Sequence, residues 1–120
     1  MSEYWGHHLI LDCKSGSKKL ISDKQNLKNF VDELVNRIDM VAVGEPIIKY
    51  LASNAVDKAG YSLVQLIETS SIVGHFIDSS GDFYLDVFSC KKFDKDIVIE
   101  CVKQYFSPFN IKEKYLLRQS

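Results

Sequence analysis

Apolar residues change their spacing along this chain, and the changes mark out its elements. Leu27, Phe30, Val31, Leu34, Val35 and Ile38 recur at steps of three and four. That spacing lays one apolar stripe along an α-helix. Ser22 is its expected N-cap, with Asp23 opening the first turn. Val98, Cys101, Val102 and Tyr105 repeat the stripe in a second helix, started by Asp94 or Asp96 and stopped by Pro108. Residues 8–13, 40–51, 61–67, 71–77, 83–89 and 111–117 are short, apolar and rich in β-branched or aromatic side chains, and read as strands. Gly44-Glu45-Pro46 interrupts the second of these, which predicts a bulge or bend there. Asp78-Ser79-Ser80-Gly81-Asp82 is a hairpin turn. Residues 14–20 and 53–59 are polar and read as loops.

Strand, helix, several antiparallel strands, helix, strand is the order of an α+β two-layer sandwich, an antiparallel sheet with two helices on one face. At 120 residues the chain is one domain, residues 1–120, without room for a second core. Two helices leave the other sheet face uncovered, and a homodimer packed sheet against sheet buries it.

Bulk properties narrow the functional classes. The net charge of −1 gives no basic surface for nucleic acid. No apolar run reaches the length of a membrane span, and the first six residues lack the regions of a signal peptide, so a cytoplasmic protein is expected. Cys13, Cys90 and Cys101 are odd in number and form no CxxC pair, which suggests neither a disulfide framework nor a zinc site. His7 and His8, adjacent on a strand, point to opposite faces, so they do not converge with Asp12 on a metal.

Chemistry concentrates between residues 60 and 90. Gly60-Tyr61-Ser62, Thr69-Ser70-Ser71, His75 and Asp86-Val87-Phe88-Ser89-Cys90 gather hydroxyls, an imidazole and a thiol onto neighbouring strands. These groups can activate a serine, move protons and cut a peptide bond. Each also has a plainer reading. The serines can be hydroxyls bonded to backbone near strand ends, His75 a core histidine and Cys90 a small buried hydrophobe. Cys13 and Cys101 are assigned to packing.

Taken together, these residues resemble the small bacterial and archaeal S-adenosylmethionine decarboxylases. Gly6-His7-His8-Leu9 is similar to the start of that family's first strand. Ser62, Ser70 and His75 stand at the family spacings, and Asp86-Val87-Phe88-Ser89-Cys90 differs from the family's Asp-hydrophobic-Phe-Thr-Cys by one Thr-to-Ser change. The resemblance implies a proenzyme that cuts itself between Thr69 and Ser70. The Ser70 hydroxyl attacks the Thr69 carbonyl, Ser62 and His75 assist, and Ser70 becomes a pyruvoyl cofactor. That cofactor forms a Schiff base with the substrate amine and draws electrons as carbon dioxide leaves. Cys90 returns the proton. The pathway implied is polyamine synthesis and the partner a second copy of the chain.

The chain departs from the family at several positions. Thr69 stands where the family has glutamate, and Glu68 lies one residue earlier. Ser71 replaces a histidine, which leaves a cut before Ser71 as a lesser possibility. The stretch after His75 reads Phe76-Ile77-Asp78-Ser79, without the adenine-stacking tryptophan, and Phe76 faces the other side of the strand from the lost ring. Tyr50 keeps an aromatic face, and Glu68 and Asp78 are the remaining candidates for substrate contact. Two alternatives follow. One is a pyruvoyl-dependent decarboxylase of ornithine or arginine, its distal cation met by Glu68, Asp78 or Asp82. The other is an uncut, non-catalytic homologue that binds a ligand or regulates a partner, motivated by Thr69 and Ile77.

Overall fold

The computed structural model describes residues 4–120, so the first three positions of the single-domain assignment lie outside the described residues. The six strands are β1 (Gly6–Lys14), β2 (Ile47–Leu51), β3 (Gly60–Ile67), β4 (Ser70–Phe76), β5 (Phe83–Ser89) and β6 (Asn110–Arg118). They form one antiparallel sheet in the order β2-β3-β4-β5-β1-β6. The helices are α1 (Lys18–Ile21), α2 (Lys24–Arg37) and α3 (Lys95–Phe106).

Alternation along the strands decides which side chains meet the helices. Leu9, Leu11, Leu63, Ile72, Leu85 and Val87 are sealed beneath Phe30, Val31 and Leu34 of α2 and Val98, Val102 and Phe106 of α3. Phe76 stacks on Phe83 at 5.3 Å, and Phe106 packs against both. Each such side chain contributes about 1.5–3 kcal/mol by leaving water. The expected α+β sandwich is present. On the opposite face Ile47, Leu66 and Tyr84 remain about half exposed, and Ile10, Val64, Val73 and Phe88 are partly covered by neighbours within the sheet.

Two local expectations change, at residues 14–20 and at the start of α2, and the bend expected at Gly44-Glu45-Pro46 is present. The expected loop over 14–20 contains the single turn α1, capped by Ser17 and too short to show periodicity. Ser22 closes that turn, its hydroxyl donating to the Lys18 carbonyl, and Asp23 caps α2 by accepting from the N–H groups of Gln25 and Asn26. The strand expected over 40–51 is divided at Gly44, whose φ of +73° makes the bend. Before it, Val41 and Val43 pair with the end of β3; after it, β2 pairs with the start. Asp94 caps α3, and Ser107, in the left-handed region at φ +47°, ends it before Pro108.

Candidate active site

Strand register separates the candidate residues into two groups. β3 and β4 are joined by the two-residue turn Glu68-Thr69, and pairing is symmetric about it: Ile67 faces Ser70 and Ser62 faces His75. Ser70 and His75 are five residues apart on β4, about 16 Å of extended chain. Glu68, Thr69, Ser70 and Cys90 therefore gather at one end of the sheet, and Tyr50, Ser62, His75 and Asp78 at the other. The strands carrying Ser62 and Ser70 are adjacent, as the sequence suggested, but the two serines lie at opposite ends of them. A single chain does not bring Ser62 or His75 to Ser70. Glu68 is likewise apart from Tyr50 and Asp78.

At the Ser70 end the backbone is under strain. The right-handed twist of a hairpin favours two-residue turns with positive φ at the first position, hence Gly or Asn. Neither Glu68 nor Thr69 has positive φ; the unusual dihedral falls on Ser70, at +156°. A non-glycine residue held there stores about 1–3 kcal/mol. The Thr69 carbonyl accepts a hydrogen bond of 2.9 Å from the Cys90 N–H. The Thr69 hydroxyl accepts one of 2.7 Å from Ser89 Oγ and donates towards Met40 Sδ at 3.3 Å. Ser89, fully buried, in turn accepts from the Lys91 N–H at 3.0 Å. Ser70 Oγ makes no hydrogen bond among the described residues. Cys90 is exposed beside it.

At the other end Ser62 Oγ lies 2.9 Å from His75 Nδ1, on the uncovered face, with Lys49 next in the row. When Nδ1 carries the proton and Ser62 accepts it, Nε2 is left as a base facing solvent. Tyr50 stands edge-on to Tyr61 and donates 2.7 Å to Asp78 Oδ2, which pushes the Tyr50 phenol above its usual range. Asp78 Oδ1 is shielded from solvent with no hydrogen-bond partner among the described residues. A cleft of about 850 Å³ between the start of α2 and β2 is lined by Tyr50, Tyr61, Lys24 and Lys28.

The remaining cysteines and histidines fall where strand and helix periodicity sends them. Burial pushes the Cys13 thiol up to about 12 and the Cys101 thiol up to about 11. Both are therefore protonated and inert at neutral pH. With a thiol-exchange probe near pH 8 we expect one fast-reacting thiol in the folded protein, Cys90, and three after unfolding. Fast labelling of Cys13 or Cys101 in the native state would contradict this packing. His7 is buried against Tyr115, and His8 lies on the uncovered face 3.6 Å from Asp86.

Comparison with known proteins gives a consistent family. The family model described as S-adenosylmethionine decarboxylase matches residues 7–119. Among solved structures, the adenosylmethionine decarboxylase from Aquifex aeolicus superposes with a TM-score of 0.83. The alignment covers 99% of this chain and 94% of that one at 16% identity, a likeness of fold. No curated protein matches the sequence.

Proposed function

The chain belongs to the S-adenosylmethionine decarboxylase family and so is a carboxy-lyase, and from that premise we propose that it is a proenzyme that cuts itself between Thr69 and Ser70, gains a pyruvoyl group, and decarboxylates S-adenosylmethionine for polyamine synthesis. The observation that carries this reading is the Thr69–Ser70 peptide itself. Its carbonyl is polarised by the Cys90 N–H, its following residue is strained, and the adjacent hydroxyl is free to rotate. An N–H aimed at a carbonyl oxygen stabilises the negative charge that grows there under attack, an effect worth about 100- to 1000-fold in rate.

The cut proceeds in balanced steps. Ser70 Oγ bonds to the Thr69 carbonyl carbon, the C–N bond breaks, and the Ser70 nitrogen takes a proton to become an amine. A base removes the Ser70 α-proton, and the Cβ–Oγ bond breaks with Thr69 leaving as a carboxylate. Water then hydrolyses the resulting enamine, through its imine, to a pyruvoyl group and ammonia. Such a group supplies an electron sink for loss of carbon dioxide. The residues present fit it: Ser70 provides its atoms, and the exposed Cys90 thiol beside it can hold the proton that the substrate carbon receives. Asp78 and Tyr50, one carboxylate oxygen unpartnered, suit a cationic substrate.

The two groups of residues support a homodimer. A two-fold axis brings residue i of one protomer to residue j of its partner and j to i, so it joins two separated half-sites into two whole ones. The half-exposed apolar face carrying Ile47, Leu66 and Tyr84 suits such packing. In this assembly Ser70 and Cys90 of one protomer meet Ser62 and His75 of the partner subunit, and His75 serves as the base.

The test is intact mass under denaturing conditions for freshly purified wild type beside Ser70→Ala. Two wild-type pieces, 1–69 and 70–120, the second short of ammonia, with one uncut mutant chain, are the expected result. A single wild-type chain after long incubation would overturn self-cleavage and favour the uncut, ligand-binding homologue.

A further inference from the structure

We propose that Ser89 is a positioning residue for the self-cleavage step, acting through the side chain of Thr69. The inference rests on the reading that the peptide between Thr69 and Ser70 is the one cut. Thr69 is held at two points by consecutive residues at the end of β5: its carbonyl by the Cys90 N–H at 2.9 Å, its hydroxyl by Ser89 Oγ at 2.7 Å. The hydroxyl contact belongs to a directed chain. The Lys91 N–H donates to Ser89 Oγ, Ser89 donates to Thr69 Oγ1, and Thr69 donates to Met40 Sδ. Aligned hydrogen bonds of this kind polarise one another, and here the chain is anchored on the fully buried Ser89 while Thr69 itself is half-buried.

The consequence is orientational. Rotation about the Thr69 Cα–C bond swings the carbonyl, and with it the face presented to the next residue. One tie on the oxygen alone leaves the peptide free to pivot about that tie. A second tie on the side chain removes the pivot and fixes the peptide plane, while Ser70 Oγ, without a hydrogen bond among the described residues, stays free to attack. Ser89 Oγ is fully buried on the helix side of the sheet, where it also accepts from the Lys91 N–H and lies 3.7 Å from Met40 Sδ, so it acts on the cut through Thr69 and not by touching solvent.

Reacting atoms displaced by about 1 Å lose on the order of a hundredfold in rate. We therefore expect Ser89→Ala to slow cutting tenfold to a hundredfold, with Thr69→Val similar and the double variant no slower than the slower single. Ser89→Thr, which keeps the hydroxyl, is expected to cut near the wild-type rate. Cutting is followed by intact mass, and thermal melting is recorded for each variant. Coupling in the rate with melting temperatures unchanged is a readout that a purely structural role does not produce. Hydroxylamine, which cleaves esters, separates the steps. If Ser89 acts before the ester forms, hydroxylamine does not restore cutting in Ser89→Ala.

Wild-type cutting of Ser89→Ala, multiplicative effects of the two substitutions, or full rescue by hydroxylamine would each overturn the role of Ser89. Should Ser89→Ala fail to fold, Thr69→Val, altered on the partner side, decides alone: unchanged cutting overturns the proposal. Failure of the wild-type chain itself to cut overturns the reading beneath, and is told apart because it needs no variant.

Discussion

Co-expressed Ser70→Ala and His75→Ala chains, each inactive alone, are expected to recover decarboxylase activity as a mixture. Ser70→Ala has no hydroxyl to attack Thr69 and never gains the cofactor. His75→Ala keeps that hydroxyl but loses the imidazole that Ser62 orients at 2.9 Å. In a dimer with shared sites, a mixed pair holds one site with both residues intact and one with both removed. Random pairing makes half the dimers mixed, so about a quarter of all sites are whole. Intact mass offers a second reading of the same event, because only the His75→Ala chain of a mixed dimer carries a cleavable serine. A mixture as dead as its parents would show that no site is assembled across two chains. The roughly 16 Å of strand between Ser70 and His75 would then have to be closed by some other rearrangement.

Gly60→Ala is expected to cost about 3 kcal/mol or more, lowering the melting temperature by about 10 °C or more. A Cβ at this position would stand 1.7 Å from the Phe76 carbonyl oxygen, and the φ of +159° adds its own strain. The obstructing atom is backbone, tied into the sheet beside the hydrogen bond from Asp78 N–H to the Ala59 carbonyl. It has no rotamer to escape into. The neighbouring Tyr61 and Ser62 would shift with it, so activity should fall too. Gly44→Ala is the matched control. Its φ of +73° is also unfavourable, but no atom lies within 4 Å of the new carbon, so about 1 kcal/mol is expected. Melting of Gly60→Ala within a degree or two of wild type would contradict the close approach.

Much of the fold was readable because burial imposes periodicity. The stripe from Leu27 to Ile38 could be nothing but one face of a helix, and the alternation in β5 could only be a sheet with one covered side. The turn α1 was not readable, since four residues show no period, and its presence is why Ser22 caps backwards and leaves Asp23 to start α2. The candidate residues were found by their chemistry and spacing, and the adjacency of their strands was legible, but their separation along those strands was not. Five residues are close in sequence and in a helix, but in a strand they are far apart. The pairing of Ser62 with His75 follows once the turn is set at Glu68-Thr69, and so does the distance of both from Ser70. Ser89 stands in the run before Cys90 but receives no role from the sequence, because a buried hydroxyl in an apolar strand carries no signal until its partner is known.

The strand order bears on what happens after the chain is cut. A break after Thr69 assigns β1, β2 and β3 to the first piece and β4, β5 and β6 to the second. In the sheet, β1 is inserted between β5 and β6, while β3 lies against β4. The pieces are thus woven through each other, and no single seam can be opened to release them. They should copurify as one particle without denaturant, and melt together. Reassembly from separated pieces becomes a bimolecular reaction dependent on concentration, so a molecule that matures before it is fully folded loses the easy route back.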